Sequence, residues 1–137
     1  MFDPLQFVTG AIAFVVAFGI AGVFALAFKY AYQWITPHNE KALIREGNTA
    51  AAVVLGGAIL GYVIPLASAL AQTHSLLEFA AWALLAGVIQ IAVFWVVRRV
   101  ALRDVSARIE RGEMACAIYL ASLSVAVGVI NAGCMTA

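Results

Sequence analysis

The chain has 137 residues, of which 65% are hydrophobic and only 11% are charged. A soluble domain of this length has too much surface to hide so many apolar side chains, and it normally carries about a quarter charged residues. The net charge of +1 and the lack of an isolated basic run argue against a disordered chain and a nucleic-acid-binding protein. The composition therefore favours a protein embedded in a lipid bilayer.

Four long segments carry no charged residue, and a helix needs about 20 apolar residues to cross a bilayer. These segments are 5–28, 47–77, 79–97 and 114–137, and the polar turn residues 72–75 end the span within the second one. We predict helices over roughly 6–33, 49–71, 75–98 and 113–135, because continuous Ala, Leu and Val runs lack the short alternating segments of a β-barrel. The first run is longer than a signal-peptide core and no basic residue precedes it, so we expect it to stay attached.

The basic residues flank two loops and are missing from the termini and from the turn at 72–75. By the positive-inside rule, both loops are cytoplasmic, and the two termini and the turn are periplasmic. We also expect the loops to bind anionic lipids. The basic residues are Lys29, Lys41 and Arg45 around the first loop, and Arg98, Arg99, Arg103, Arg108 and Arg111 around the second.

An internal repeat is indicated by the gapless alignment of residues 42–52 with 107–117, at a spacing of 65. The identical residues stand at 42, 44, 47, 50, 52 and, beyond the segment, 55 of the first copy. The alignment predicts a single transmembrane domain, 1–137, made of two parallel-repeat helical hairpins (about 1–72 and 73–137) joined by a short outer turn. Chance similarity in Ala-rich sequence is the alternative.

Each loop is predicted to contain a short amphipathic helix that ends at a glycine. The first helix covers 37–46, after an N-cap at Thr36, and the second covers 104–111. Apolar and charged positions alternate around both, which favours a location at the lipid headgroups over a helix that extends straight into the cytoplasm. The loop motif consists of Arg45, Glu46, Gly47 and Asn48 in the first copy, and of Gly112 and Glu113 in the second.

The segment 42–52, followed by Gly56-Gly57, Leu60-Gly61 and the Pro-Leu-Ala-Ser run at 65–68, resembles the YjfL-like bacterial family catalogued as domain of unknown function 350. The resemblance covers the whole chain, with the motif at the start of the second span and a weaker copy at the fourth. It implies a bacterial inner-membrane protein and supplies no catalytic residues. Glu113 replaces Asn48 in the second copy, so any role of that amide is not symmetric.

Small residues four apart on a membrane helix allow two backbones to approach closely. Gly57 and Gly61 have this spacing, and Pro65, which predicts a kink, continues their face. Such a face can serve packing between the hairpins, a subunit interface or a permeation surface. The full set of candidates, with the positions that the 65-residue shift adds, is Gly57, Gly61, Pro65, Ser68, Ser122 and Ala126.

Few polar side chains occur inside the spans. Glu78 lies near the outer end of the third span, either at a hydrated rim or, with His74 one turn away, at an ion site. Gln90 and Asn131 lie deeper, where an amide forms hydrogen bonds between helices or contacts a substrate. These three residues are the candidates for polar contacts.

No motif for catalysis, a metal ion or a cofactor is present. We interpret Cys116 and Cys134 as ordinary buried thiols, with a cross-link between two chains through Cys134 as the alternative. The sequence therefore favours a non-enzymatic inner-membrane scaffold that forms a homo-oligomer or binds another membrane protein. The alternative is a small ion channel or transporter whose path runs between repeats or subunits.

Overall fold

The computed structural model describes residues 1–35, 40–100 and 104–135, and every regular element within these ranges is a helix. The long helices α1, α3, α4 and α6 are long and apolar enough to cross a membrane. The predicted all-α class with four spans is therefore confirmed, whereas Thr36 and the start of the first short helix lie outside the described residues. The helices are α1 (Pro4–Ile35), α2 (Glu40–Arg45), α3 (Thr49–Gln72), α4 (Leu76–Val100), α5 (Val105–Glu110) and α6 (Met114–Cys134).

The helices α3 and α6 form the centre of the bundle and pack along most of their length. They run in the same direction. The side-chain amide of Asn48, at the start of α3, donates to the carbonyl of Ile109, just before α6, and the hydroxyl of Ser68, near the end of α3, donates to the carbonyl of Ala132, near the end of α6. Helix α4 packs on both α3 and α6. The pair α3–α6 therefore connects the two halves of the chain.

Helix α1 joins the bundle through its C-terminal half. The Phe28 ring stacks on Tyr62 of α3 at 4.4 Å between centroids, and Tyr32 packs edge-on against Phe94 of α4 at 4.8 Å. Tyr62 also donates a hydrogen bond to the carbonyl of Ala83 in α4, so α1 and α4 lie on the same side of α3. The N-terminal half of α1 is exposed and has no contact with the other described helices along most of its length.

Both short helices end in the same hydrogen-bonded turn. Gly47 and Gly112 adopt positive φ angles of 86° and 79°, a conformation that favours glycine. The backbone N–H of Asn48 donates to the carbonyl of Leu43, and the backbone N–H of Glu113 donates to the carbonyl of Arg108. Each glycine therefore completes a Schellman motif. The turn redirects the chain into α3 and α6.

Helix α5 is held against the bundle by its apolar residues. Val105 and Ile109 are 0% exposed, and the guanidinium of Arg98 donates to the hydroxyl of Ser106 at 2.5 Å. In α2, by contrast, Leu43 is half-buried and Ile44 is exposed. The apolar residues of α5 thus contact protein, and those of α2 are only partly covered.

Candidate functional site: the surface between α3 and α6

Helices α3 and α6 approach each other closely at Gly57 and Ala121. A Cβ atom added to Gly57 would lie 2.5 Å from both the Cα and the Cβ of Ala121, so no larger residue fits without moving a helix. Gly57 is buried by this contact. In the structure Gly57 thus lies in the packing between two helices of one chain, which is one of the three uses that the sequence leaves open.

One turn further along, α3 contacts α6 through backbone atoms alone. The carbonyl oxygen of Gly61 lies where a Cβ atom of Gly128 would be, and the carbonyl of Ser124 lies where one of Gly61 would be. Pro65 is buried within α3 and lacks the amide that would normally bond the Gly61 carbonyl. Gly61 and Gly128 are thus both required by the closeness of the two helices.

The residues that the 65-residue shift adds, Ser122 and Ala126, do not make these closest contacts. Both are exposed. They line an open groove of about 600 Å³ between α3 and α6, together with Val53, Gly56, Gly57, Leu60, Ala121 and Val125. Small side chains therefore leave a recess on one side of the helix pair.

Asn48 joins the two loops at the cytoplasmic ends that the sequence predicts for α3 and α6. Its side-chain oxygen accepts from the amide of Ala51 at 3.1 Å and so caps α3. Its side-chain nitrogen donates to the carbonyls of Ile109, at 2.8 Å, and Glu110, at 3.3 Å. One side chain thus provides hydrogen-bond partners for backbone groups at the start of α3 and at the end of α5.

Glu113 aligns with Asn48 in the second copy but has a different role. Its carboxylate lies 3.3 Å from the guanidinium of Arg111 and 3.8 Å from that of Arg108, and all three side chains are well exposed. A carboxylate cannot donate, so it makes no bridge like that of Asn48. Arg45 and Glu46 are exposed as well, at the end of α2.

Two amides inside the bundle form hydrogen bonds between helices. Gln90 donates to the carbonyl of Ser124 at 3.2 Å, and Asn131 donates to that of Ala86 at 3.3 Å, so both join α4 to α6. Gln90 is 5% exposed, and its side-chain oxygen is buried without a hydrogen-bond partner. The Gln90 side chain borders a cavity of only about 10 Å³.

Glu78 lies at the exposed start of α4. Its backbone amide donates to the hydroxyl of Ser75 at 3.1 Å, which caps the helix in the way expected from a Ser-x-x-Glu sequence. His74 is also exposed. Within the described ranges, no group of three or more His, Cys, Asp or Glu residues is placed to hold a metal ion.

Sequence reasoning missed the residues of α6 that face α3. Ala121, Ser124 and Gly128 have this role. On the same helix Cys116 is buried as predicted, whereas the prediction of a buried Cys134 is wrong, because this residue lies at the exposed end of α6. Gly128 carried a usable signal, because a glycine inside a helix is unfavourable unless a neighbour comes close. The role of Tyr62 in joining α1 and α4 to α3 had no such signal.

The fold defines a multi-pass helical membrane protein whose central helices meet through small residues. The profile of the family described as Domain of Unknown Function (DUF350) matches residues 6–135, and the chain belongs to this family. It is similar to the UPF0719 inner membrane protein YjfL of Escherichia coli strain K12, with 39% identity over 125 residues, 91% of this chain and 94% of the relative. The protein of the same name from Escherichia coli O157:H7 has the same values. No solved structure matches the chain. The chain is a multi-pass inner-membrane protein.

Proposed function

We propose that the protein is a non-enzymatic scaffold that assembles with other membrane-embedded protein through the small residues of α3 and α6. The observation that carries the proposal is the open groove between these helices. Its volume is about 600 Å³, and Gly56, Gly57, Ser122 and Ala126 contribute almost no side-chain bulk to it. In lipid, where the hydrophobic effect does not drive helices together, close van der Waals packing on small residues is what stabilises association.

Counting subunits tests this function. The protein is extracted from its native membrane in polymer-bounded nanodiscs, without detergent, and the protein mass in each disc is measured. We expect more than one protein chain in a disc, either copies of this chain or a second protein. A solitary chain in every disc would contradict an assembly role.

The proposal includes the internal repeat and the predicted orientation. The backbone hydrogen bonds that form the turn at Gly47 recur 65 residues later at Gly112, including the bond from Ala52 to Asn48 and its counterpart from Ala117 to Glu113, both 3.3 Å. Parallel packing of α3 on α6 agrees with a repeat of the same topology in both copies. The basic loops support cytoplasmic placement of α2 and α5, with anionic lipids as their partners.

A channel or transporter is the second candidate, favoured by the unpartnered oxygen of Gln90 inside α4. The adjoining cavity of about 10 Å³ holds at most one water molecule, so a path would have to run between copies. Flux of K⁺, Na⁺ and polyamines into proteoliposomes tests it, with Gln90→Leu as the matched variant. Flux that the variant abolishes would support this candidate over the scaffold.

A further inference from the structure

The packing of α3 on α6 uses a different face of each helix. On α3 the contact is made by Gly57, Gly61 and Ser68. On α6 it is made by Ala121, Gly128 and Ala132, whose counterparts in the first copy are Gly56, Val63 and Ala67. Since one residue turns an α-helix by about 100°, these counterparts lie on another side of α3 from Gly57 and Gly61. The contact is therefore heterologous.

A heterologous contact joins one surface of the first repeat to a different surface of the second. The second repeat's version of the first surface and the first repeat's version of the second surface therefore remain unpaired. The α6 counterparts of Gly57, Gly61 and Ser68 are Ser122, Ala126 and Gly133, and all three are exposed. On α3, Ala67 is exposed, and Gly56 and Val63 are partly exposed. The free side of α6 thus repeats the surface that α3 uses, and the free side of α3 repeats the surface that α6 uses.

The glycines on these free sides have no explanation within one chain. A Cβ atom added to Gly56 or Gly133 would meet nothing within 4 Å, whereas one added to Gly57, Gly61 or Gly128 would overlap the neighbouring helix. Glycine costs about 1 kcal/mol in a helix interior relative to alanine. A Cβ atom on Gly10, Gly19 or Gly22 of α1 would also meet nothing within 4 Å, so the open space at Gly56 and Gly133 leaves room for a neighbour from outside the chain without requiring one.

The exposed half of α1 fits the same arrangement. Helix α4 lies over both α3 and α6, where the carbonyl of Ala83 accepts from Tyr62. The counterparts of these two residues are Phe18, which is exposed, and Val127, which is half-buried. Consider a second copy whose α3 lies beside α6 of the first copy in the way that α6 lies beside α3 within one chain. Its α1 would then lie over α6 of the first copy, with Phe18 of the second copy near Val127 of the first.

We propose that copies of this chain associate head to tail, with α6 of one copy against α3 of the next, in the orientation of the internal α3–α6 pair but at a wider spacing, because Ala126 and Val63 carry side chains where the internal contact has Gly61 and Gly128. The proposal rests on the assembly function above and names the partner as a second copy. Every copy keeps the same orientation in the membrane, because the relation between copies is that between two parallel repeats. A heterologous contact of this kind forms a ring if its rotation closes and an open array if it does not.

Cysteine cross-linking in native membranes tests the contact. The internal pair Gly61 and Gly128 corresponds, between copies, to Ala126 and Val63. Both positions lie about 200° around their helices from the internal contact, so two cysteines there point away from each other within one chain. The background carries Cys116→Ala and Cys134→Ala, and the variants are Val63→Cys, Ala126→Cys and both together, each checked for helix content and monodispersity.

After mild oxidation, we expect the double variant to form a ladder of cross-linked dimers, trimers and larger species. Each single variant should form no cross-linked species. Co-expression of the two single variants with different tags should give mixed dimers only. Ala126→Phe, which adds bulk to an exposed position, should lower the assembled fraction at least about tenfold in nanodiscs, the effect of about 1.4 kcal/mol.

The outcomes separate this inference from the assembly function. Self-cross-linking of a single variant would show a symmetric contact and overturn the head-to-tail arrangement. No ladder in discs that hold several copies, or discs that hold a different protein, would overturn it and leave the assembly function in place. Solitary chains in all discs would overturn both.

Discussion

Glycine serves two separate purposes in this chain, and the structure distinguishes them residue by residue. Gly47 and Gly112 provide a positive φ at the end of a short helix, where other residues are strained. Gly57, Gly61 and Gly128 have helical backbones and are needed for space, because another helix occupies the position of their absent Cβ atoms. A substitution by alanine should therefore reveal the reason for each glycine.

Gly128→Ala should destabilise the bundle, because the new methyl group overlaps the carbonyl of Gly61 and forces α3 and α6 apart. We expect a loss of about 1–3 kcal/mol in the free energy of unfolding, the usual cost of overpacking. The control is Gly19→Ala in α1, where a Cβ atom meets nothing within 4 Å. Chemical unfolding in detergent micelles, followed by circular dichroism, measures both. Equal stability of the two variants would contradict the role of Gly128.

Asn48→Asp should separate the two hydrogen-bonding roles of this side chain. The carboxylate still caps α3 at Ala51 but can no longer donate to the carbonyls of Ile109 and Glu110, which it then repels. We expect a loss of about 0.5–1.5 kcal/mol, the net contribution of a typical hydrogen bond, because the bond to Ile109 is partly buried and that to Glu110 is exposed.

The matched control for Asn48→Asp is Glu113→Gln at the aligned position of the second copy, where only exposed ion pairs are lost. We expect it to change stability by less than about 1 kcal/mol. The same unfolding experiment compares the two variants. A larger loss for Glu113→Gln would show that the bridge from Asn48 to α5 is not what holds the loops together.

At the scale of the helices, hydropathy and charge predicted the positions of the four spans within a few residues, because a bilayer demands long uncharged segments. Hydropathy and charge could not predict which residues of α3 and α6 contact each other. The 65-residue shift predicts which positions correspond in the proposed repeat, and only a symmetric contact would make corresponding positions face each other. Gly57 meets Ala121, one residue before its own equivalent, because α6 presents a different face to α3.

The interface between α4 and α6 contains a polar group that is expected to contribute little. Gln90 makes one hydrogen bond to the carbonyl of Ser124 and leaves its oxygen unpartnered. Hydrogen bonds between membrane helices average about 0.6 kcal/mol, less than the cost of an unsatisfied buried group. Gln90→Leu should therefore keep or raise the unfolding temperature, whereas Asn131→Leu should lower it slightly. A clear loss on Gln90→Leu would indicate a partner for the amide oxygen.

At the scale of the whole molecule, the few charges divide between the two sides of the membrane. All eight Lys and Arg residues lie in or next to the two loops predicted to be cytoplasmic, whereas Asp3 and Glu78 lie near the opposite ends of the long helices. Helix α5 packs on the bundle through Val105 and Ile109, so Arg108 within α5 lies next to the spans. Sequence alone could assign the charges to a loop but could not show that α5 folds back on the spans.

The orientation can be checked by labelling single cysteines in a background without Cys116 and Cys134. His74→Cys lies in the outer turn and Glu110→Cys lies in α5, and both positions are exposed. A maleimide that cannot cross the inner membrane should label His74→Cys in cells with a permeable outer membrane. It should label Glu110→Cys only after the inner membrane is opened. The reverse pattern would place both termini in the cytoplasm.

Anionic lipids should stabilise the protein through the first loop, where Lys41 and Arg45 are exposed at the ends of α2. Each basic residue near an anionic membrane surface contributes about 1 kcal/mol, and salt screens the attraction over about 8 Å at physiological ionic strength. We expect a higher unfolding temperature in vesicles with phosphatidylglycerol than in pure phosphatidylcholine, and a smaller difference at high salt. The double variant Lys41→Gln/Arg45→Gln should lose part of this difference, whereas Asp3→Asn on the outer side should keep it. Equal unfolding temperatures in both lipids would mean that the loops do not bind the membrane surface by charge.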